Sequence, residues 1–173
     1  MVKAEAKKNG NIAEYVIHMF KTEDLLRTFE FDLNRITNQV ILNIPASNSE
    51  KKELILWYAK HIEAMQSQKI VNSGHLKEVN DLIVQLFSLH TEFLLSEPTY
   101  KKIVSKAEPF IKSQIAGSKN ALNNPILVCL NAIYGLLILK LEGKEVNANQ
   151  QNMLESFGDL LSFLSYKFNE LNN

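Results

Sequence analysis

Apolar residues recur at spacings of three and four through most of the chain, and this periodicity constrains the fold more than any other feature. It places side chains on one face of a helix, whereas no segment alternates with the period of two that marks a strand. The clearest stripe, near the middle of the chain, is Leu76, Val79, Ile83, Leu86, His90 and Phe93. We therefore predict an all-α chain without strands, folded as a compact bundle of six to seven helices.

Polar and turn-forming residues divide the chain into these helices. Seven predicted starts carry a capping side chain or a proline in the first turn, namely Asn11, Asp32, Ser49, Ser73, Pro98, Asn124 and Asn149. Gly143 is expected to end the sixth helix. Pro109 is expected to kink the fifth helix or split it in two.

The sixth predicted helix, at about residues 125–142, is the most apolar segment. Its run from Pro125 to Leu141 is interrupted only by Asn131 and Lys140. This run is shorter than the roughly 20 residues that cross a bilayer. A helix that is apolar nearly all round belongs in a core, so we predict that it is buried at the centre of the bundle. Gly135 would let a neighbouring helix approach it closely.

Composition narrows the classes of function. The 173 residues predict one helical domain at 11–170 after a flexible N-terminus at 1–10. Lysine plus arginine and aspartate plus glutamate both number 19, so no net charge attracts nucleic acid or a membrane surface. The charged N-terminal residues lack the apolar core of a signal peptide. We expect a cytoplasmic protein that binds neither nucleic acid nor membrane.

Motifs for metals and cofactors are missing from the sequence. Cys129 is the single cysteine, so neither an intrachain disulfide nor a CxxC zinc pair can form, and we interpret it as inert packing. No histidine follows a glutamate at the Glu-x-x-His spacing of bundle di-metal sites. Glu14 and His18 are four residues apart, but two ligands are weak evidence for a site. We expect no metal and no cofactor.

Two polar residues lie on apolar stripes. Glu23 continues the stripe of Ile12, Val16 and Met19 at helical spacing, so its carboxylate needs a partner when buried. Arg27, four residues later, is the simplest partner. Either the two form a structural ion pair, or Glu23 forms the polar floor of a pocket. His90 occupies the stripe of the fourth helix and is interpreted as a core residue.

Several phrases of the sequence together resemble a known family. They are Asn-Ile-Ala-Glu-Tyr at 11–15, Glu-Asp-Leu-Leu-Arg at 23–27, Trp57-Tyr58, Gly74-His75-Leu76, Leu89-His90 and Tyr134-Gly135. In this order they resemble an uncharacterised bacterial helical family, domain of unknown function 4924, over about residues 11–168. The resemblance implies an all-helical cytoplasmic protein and supplies no activity. It strengthens the case that residues on these phrases have a function. They are Glu14 and six candidate ligand-binding residues, which are Glu23, Arg27, Trp57, His75, His90 and Tyr134.

Two hypotheses about function follow. The first is a non-enzymatic interaction or scaffold protein that self-associates. The second is a small-molecule-binding bundle or an enzyme, with a polar site formed by Glu23, Arg27, His90 and Tyr134. Convergence of these four side chains on a cavity of a few hundred Å³ would favour the second hypothesis. Pairing of the same side chains inside a closed core would favour the first.

The seventh predicted helix suggests how copies associate. Its apolar seam is Leu154, Phe157, Leu161, Leu164, Phe168 and Leu171. If the seam faces inward, Leu160, Phe163 and Tyr166 lie on an exposed side, as in contact surfaces. We therefore predict a two-fold homodimer through the helix near Phe163. The alternative is that this helix lies between two others and buries both sides within one chain.

Overall fold

The computed structural model describes residues 10–118 and 123–172. Within them the chain forms helices α1 (Ile12–Thr28), α2 (Leu33–Gln39), α3 (Asn48–Ser67), α4 (Lys77–Ser96), α5 (Pro98–Gly117), α6 (Pro125–Leu141) and α7 (Ala148–Asn172), with a 3₁₀ turn at Ile41–Asn43 and no strand. The predicted all-α bundle is confirmed. The predicted flexible segment 1–10 lies almost entirely outside the described residues.

Several helix starts agree with the sequence. Asn11, Asp32 and Asn124 cap α1, α2 and α6 by accepting hydrogen bonds from backbone N–H groups of the first turn. Pro98 lies in the first turn of α5. Backbone N–H groups in the first turn have no acceptor within the helix, so proline costs no hydrogen bond there. The same helix continues through Pro109, so the predicted split does not occur.

Two predicted caps are wrong by two residues. Ser47, not Ser49, caps α3, because Ser47 exchanges hydrogen bonds with Glu50 in a capping box. Asn147, not Asn149, caps α7, where it makes the same reciprocal pair of bonds with the residue three positions later. In both helices the reciprocal pairing satisfies two N–H groups and decides where the helix begins.

The start of α4 is set by distant side chains. The sequence predicted Ser73 as its cap, but the helix begins at Lys77 and no local side chain caps it. The N–H of Leu76 instead donates to the Glu23 carboxylate at 2.9 Å, and the N–H of Lys77 donates to the Gln68 amide oxygen at 2.8 Å. Two backbone N–H groups at the start of α4 therefore find acceptors in the side chains of Glu23, on α1, and Gln68, directly after α3.

The α6 helix contacts α1, α4, α5 and α7, as a central helix does. Its buried residues are Ile126, Val128, Cys129, Leu130 and Leu136, so burial is concentrated in the first half. Gly135 is exposed, and no atom of a neighbouring helix lies within 4 Å of the position a Cβ would take. The predicted close approach at Gly135 is wrong. Among the described helices, none has the length and apolar character needed to cross a membrane.

The α7 helix packs against α1, α4, α5 and α6. Leu160 is fully buried, and the ring of Phe163 stacks on Tyr100 with centroids 4.9 Å apart. The predicted exposed side is therefore wrong for these two residues, and of the three only Tyr166, at 61% exposure, faces solvent. Leu171, the last residue of the predicted inward seam, is also exposed, at 66%. Neighbours on both sides give the helix a buried face wider than the predicted seam.

Candidate functional site

Glu23 lies on the inward face of α1, and its side chain is completely buried. Its Oε2 atom accepts a hydrogen bond from His75 Nδ1 at 2.5 Å, and its Oε1 atom accepts one from the backbone N–H of Leu76 at 2.9 Å. A buried carboxylate is tolerated when hydrogen bonds replace those it would make with water. The prediction of a buried, bonded Glu23 is confirmed, but its partner is His75.

His75 is held on two sides. Its ring stacks on Phe20 with centroids 4.0 Å apart, and Glu23 fixes its Nδ1 atom. The side chain is 27% exposed, and Nε2 has no hydrogen-bond partner among the described residues. A histidine oriented by a carboxylate in this way can act as a base or a metal ligand. In the described part of the chain, however, no group of three potential ligands that could hold a metal ion is present.

Arg27 does not bond to Glu23, but to carbonyls of the loop that contains His75. Its guanidinium forms an ion pair with Asp24 at 3.0 Å and donates to the carbonyls of Ile70, at 3.2 Å, and Gly74. The predicted Glu23–Arg27 pair is therefore wrong. Glu23 and Arg27 both belong to α1. The loop before α4 provides carbonyl oxygens that accept from the Arg27 guanidinium, and it provides the imidazole that bonds to the Glu23 carboxylate. We call Glu23, Arg27 and His75 the loop clamp, since they attach the segment before α4 to α1.

Tyr134 of α6 extends this polar region. Its hydroxyl donates to the second carboxylate oxygen of Asp24 at 2.8 Å, and its ring meets Phe20 edge-on at 6.0 Å. Burial, followed by the hydrogen bond and negative charge of Asp24, raises the pKa of the Tyr134 hydroxyl well above its usual range. Asp24 thus links Tyr134 to Arg27 through two hydrogen bonds, while the buried Nε of Arg27 has no hydrogen-bond partner among the described residues.

His90 lies apart from the loop clamp, in the core between α4 and α5. Its Nδ1 is 2.7 Å from the hydroxyl of Tyr100, and burial lowers the pKa of His90. The structure therefore does not bring His90 together with Glu23, Arg27 and Tyr134. The interpretation of His90 as a satisfied core residue agrees with this geometry.

Trp57 forms a third cluster with two histidines. Its ring lies 4.1 Å from that of His61 and 5.9 Å from that of His18. His61 Nδ1 donates to the Trp57 carbonyl at 2.7 Å, and its Nε2 is 3.9 Å from the carboxylate of Glu78. Burial lowers the pKa of His61. His18 and His61, which lie outside the family phrases, thus both contact Trp57, which lies within one of them.

An open groove of about 380 Å³ lies on a neighbouring face of α1. It is lined by Glu14, Ile17, His18 and Lys21 of α1, by Ile133, Leu136, Leu137 and Lys140 of α6, and by Leu154 of α7. Its floor is aliphatic and its rim carries the charged groups. A volume of roughly 300–1,000 Å³ is typical of small-molecule sites.

A sequence signal for this groove exists, but it is weak. Both helices contribute residues at i, i+3, i+4 and i+7, and in each set the last residue is a lysine, Lys21 or Lys140. The apolar second half of α6, interpreted from the sequence as core, forms part of this surface. Of the six predicted ligand-binding residues, none lines the groove.

Comparisons with known proteins identify a family for the chain. A family model described as a domain of unknown function (DUF4924) matches residues 1–173. No curated protein matches the chain, and no solved structure matches it. The match confirms the resemblance seen in the phrases that contain Glu23, His75 and Tyr134.

Proposed function

The chain belongs to the family of the domain of unknown function DUF4924, and from that premise we propose that it is a non-enzymatic binding protein whose partner occupies the groove between α1, α6 and α7. We place it in the cytoplasm of a bacterial cell, where the single buried thiol of Cys129 stays reduced. The observation that carries the proposal is the difference between the candidate polar residues and the groove. The candidate polar side chains bond to one another inside the chain, whereas the groove is open and apolar.

The use of the polar groups supports a binding role over an enzymatic one. A reaction centre needs several polar groups aimed at one cavity. Here Glu23 bonds to His75, Tyr134 bonds to Asp24, and His90 bonds to Tyr100. These bonds commit most of the candidate polar atoms to partners within the chain; among the described residues, the exceptions include His75 Nε2 and the buried Nε of Arg27. The competing hypothesis of a polar site formed by Glu23, Arg27, His90 and Tyr134 therefore loses its main support.

The groove supports binding because it is concave and largely aliphatic. Ile17, Ile133 and Leu137 lie on two facing helices and are only partly buried. Covering such side chains contributes about 25 cal/mol for each Å² removed from water. A partner with an apolar portion would therefore gain free energy by filling the groove.

Binding of an uncharged fluorescent probe, N-phenyl-1-naphthylamine, tests this proposal. We expect saturable enhancement of its fluorescence with the wild type, and loss of the enhancement with Leu137→Glu, which places a charge in the groove. Leu56→Glu is the matched control, since Leu56 is 72% exposed on α3 and does not line the groove. Circular dichroism verifies that both variants fold. Absence of saturable binding to the wild type, or equal loss in both variants, would contradict the proposal.

Self-association through α7 also remains a proposal. Leu160 and Phe163 belong to the packing of the chain itself, so a dimer on this helix would have to use the surface around Tyr166. Sedimentation velocity at tens of micromolar protein tests it, and a monomer at that concentration would end the idea.

A further inference from the structure

The charges at the two ends of the groove differ. Tyr134 bonds to Asp24 near the end of α1, whereas Lys140, farther along α6, lines the groove together with Glu14 near the start of α1. The two helices therefore run in opposite directions along the groove. Lys140 and Glu14 lie at one end, and Lys21 and Ile133 lie at the other.

The end with Lys140 carries one basic and one acidic side chain, Lys140 and Glu14, although in the described part of the chain no ion pair joins the two. Lys140 is in the last turn of α6, where a cation is favoured by the helix dipole, and Glu14 is in the first turn of α1, where an anion is favoured. Their opposite charges also lie on the same rim. This end therefore has little net attraction for an ion of either sign.

The end with Lys21 has no acidic side chain among the described residues that line the groove. Lys21 is exposed and has no ion pair among the residues that the structure describes. Asp24, one turn farther along α1, is already bonded to Arg27 and Tyr134. Lys21 is therefore a cation available at the end of an aliphatic groove.

We infer that the groove binds a free single-chain aliphatic carboxylate, with the hydrocarbon chain on the aliphatic floor and the carboxylate at Lys21. This inference rests on the proposed function and names the chemistry of the ligand. The lining residues Glu14 and Lys21 are seven positions apart on α1, so the groove is about 10 Å long at 1.5 Å per residue. That length suits a short acyl chain. A protein partner would need about 800 Å² on each side, which is the scale of a whole face of the bundle.

Calorimetric titration with two ligands of equal chain length tests the inference. Decanoate and decanol are used below the concentrations at which they aggregate. An exposed ion pair contributes about 0.2–1 kcal/mol, so decanoate should bind about 1.4- to five-fold more tightly than decanol. The affinity ratio of the two ligands isolates the head group from the chain.

Two lysine variants test which lysine binds the carboxylate of the ligand. Lys21→Gln should remove the preference for decanoate and leave the affinity for decanol unchanged, and Lys140→Gln should keep the preference. Loss of the preference in Lys140→Gln alone would overturn the assignment, as would equal affinities for the two ligands in the wild type. Cosedimentation with vesicles of phosphatidylglycerol without any decanoate binding would also overturn it, in favour of a lipid surface.

The neutral probe separates this inference from the proposed function. If the probe binds in the groove but decanoate shows no advantage over decanol, the carboxylate inference fails and the groove remains a binding site. If neither the probe nor either decyl ligand binds, both proposals fail together.

Discussion

The Oε2 atom of Glu23 and the Nδ1 atom of His75 are 2.5 Å apart, although the two residues are separated by 52 positions in the sequence. The other oxygen of the same carboxylate accepts the N–H of Leu76, the residue at which α4 is capped. One buried side chain of α1 therefore fixes the orientation of a histidine and the starting point of another helix. The pair joins two separate phrases of the sequence, Glu-Asp-Leu-Leu-Arg at 23–27 and Gly74-His75-Leu76.

His75→Ala should lower the free energy of unfolding by about 1.5–3 kcal/mol, because it removes one of the two hydrogen bonds that the buried Glu23 carboxylate accepts. Urea unfolding measures the change. Ser73→Ala, at an exposed position of the same loop, is the control and should stay within about 0.5 kcal/mol. Adding Glu23→Gln to His75→Ala should recover part of the loss, since an amide carries no charge. A loss below about 0.5 kcal/mol for His75→Ala would show that the pair contributes little.

Arg27→Ala should loosen the segment at residues 68–76. The guanidinium donates to the carbonyls of Ile70 and Gly74, and hydrogen bonds to charged groups contribute about 1.5–3 kcal/mol. Amide hydrogen exchange in that segment should accelerate more than exchange in α5. Arg35→Ala is the matched control, because the Arg35 side chain forms an exposed ion pair with Glu30 and lies over the ring of Phe29. Equal exchange profiles for the two variants would contradict this role of Arg27.

Stability should fall as the pH drops through about 6.5, because burial lowers the pKa of His90 from its ordinary value of 6.5. Below 6.5 the unfolded chain binds a proton that the folded chain does not, so acid favours unfolding; the loss ends below the pKa of the folded state. His90→Gln cannot titrate and should show a shallower slope of unfolding free energy between pH 7.5 and 5. Part of the slope should remain, since burial also lowers the pKa of His61. An unchanged slope would exclude His90 as its source.

Phe163→Glu should destabilise the monomer well beyond the roughly 0.5 kcal/mol of a surface change, because its ring stacks on Tyr100 and meets Phe93 edge-on. Tyr166→Ser, three residues farther on the exposed side, should have little effect on thermal unfolding. If copies of the chain associate through α7, Tyr166→Ser should weaken the association measured by sedimentation. Equal midpoints of unfolding for the two variants would show that α7 is less enclosed than the structure indicates.

The periodicity of the sequence predicted the helices and most of their inward faces. Ile12, Val16 and Met19 are fully buried on α1, and the α4 stripe from Leu76 to Phe93 is buried along its length. These predictions succeed because an apolar spacing of three and four records which side of a helix avoids water, and that preference is local. For the same reason the burial of Glu23 followed from its position on the stripe.

What the tertiary structure alone decided is which groups meet. The partner of Glu23 is His75 and not Arg27. The α4 helix begins at Lys77, where the side chains of Glu23 and Gln68 accept the N–H groups of Leu76 and Lys77. The groove likewise exists only because α1 docks against α6 in one register. Spacing along a helix gives the direction of a side chain but not the distance to another helix. That distance depends on crossing angles and long-range packing, to which residues from the whole chain contribute.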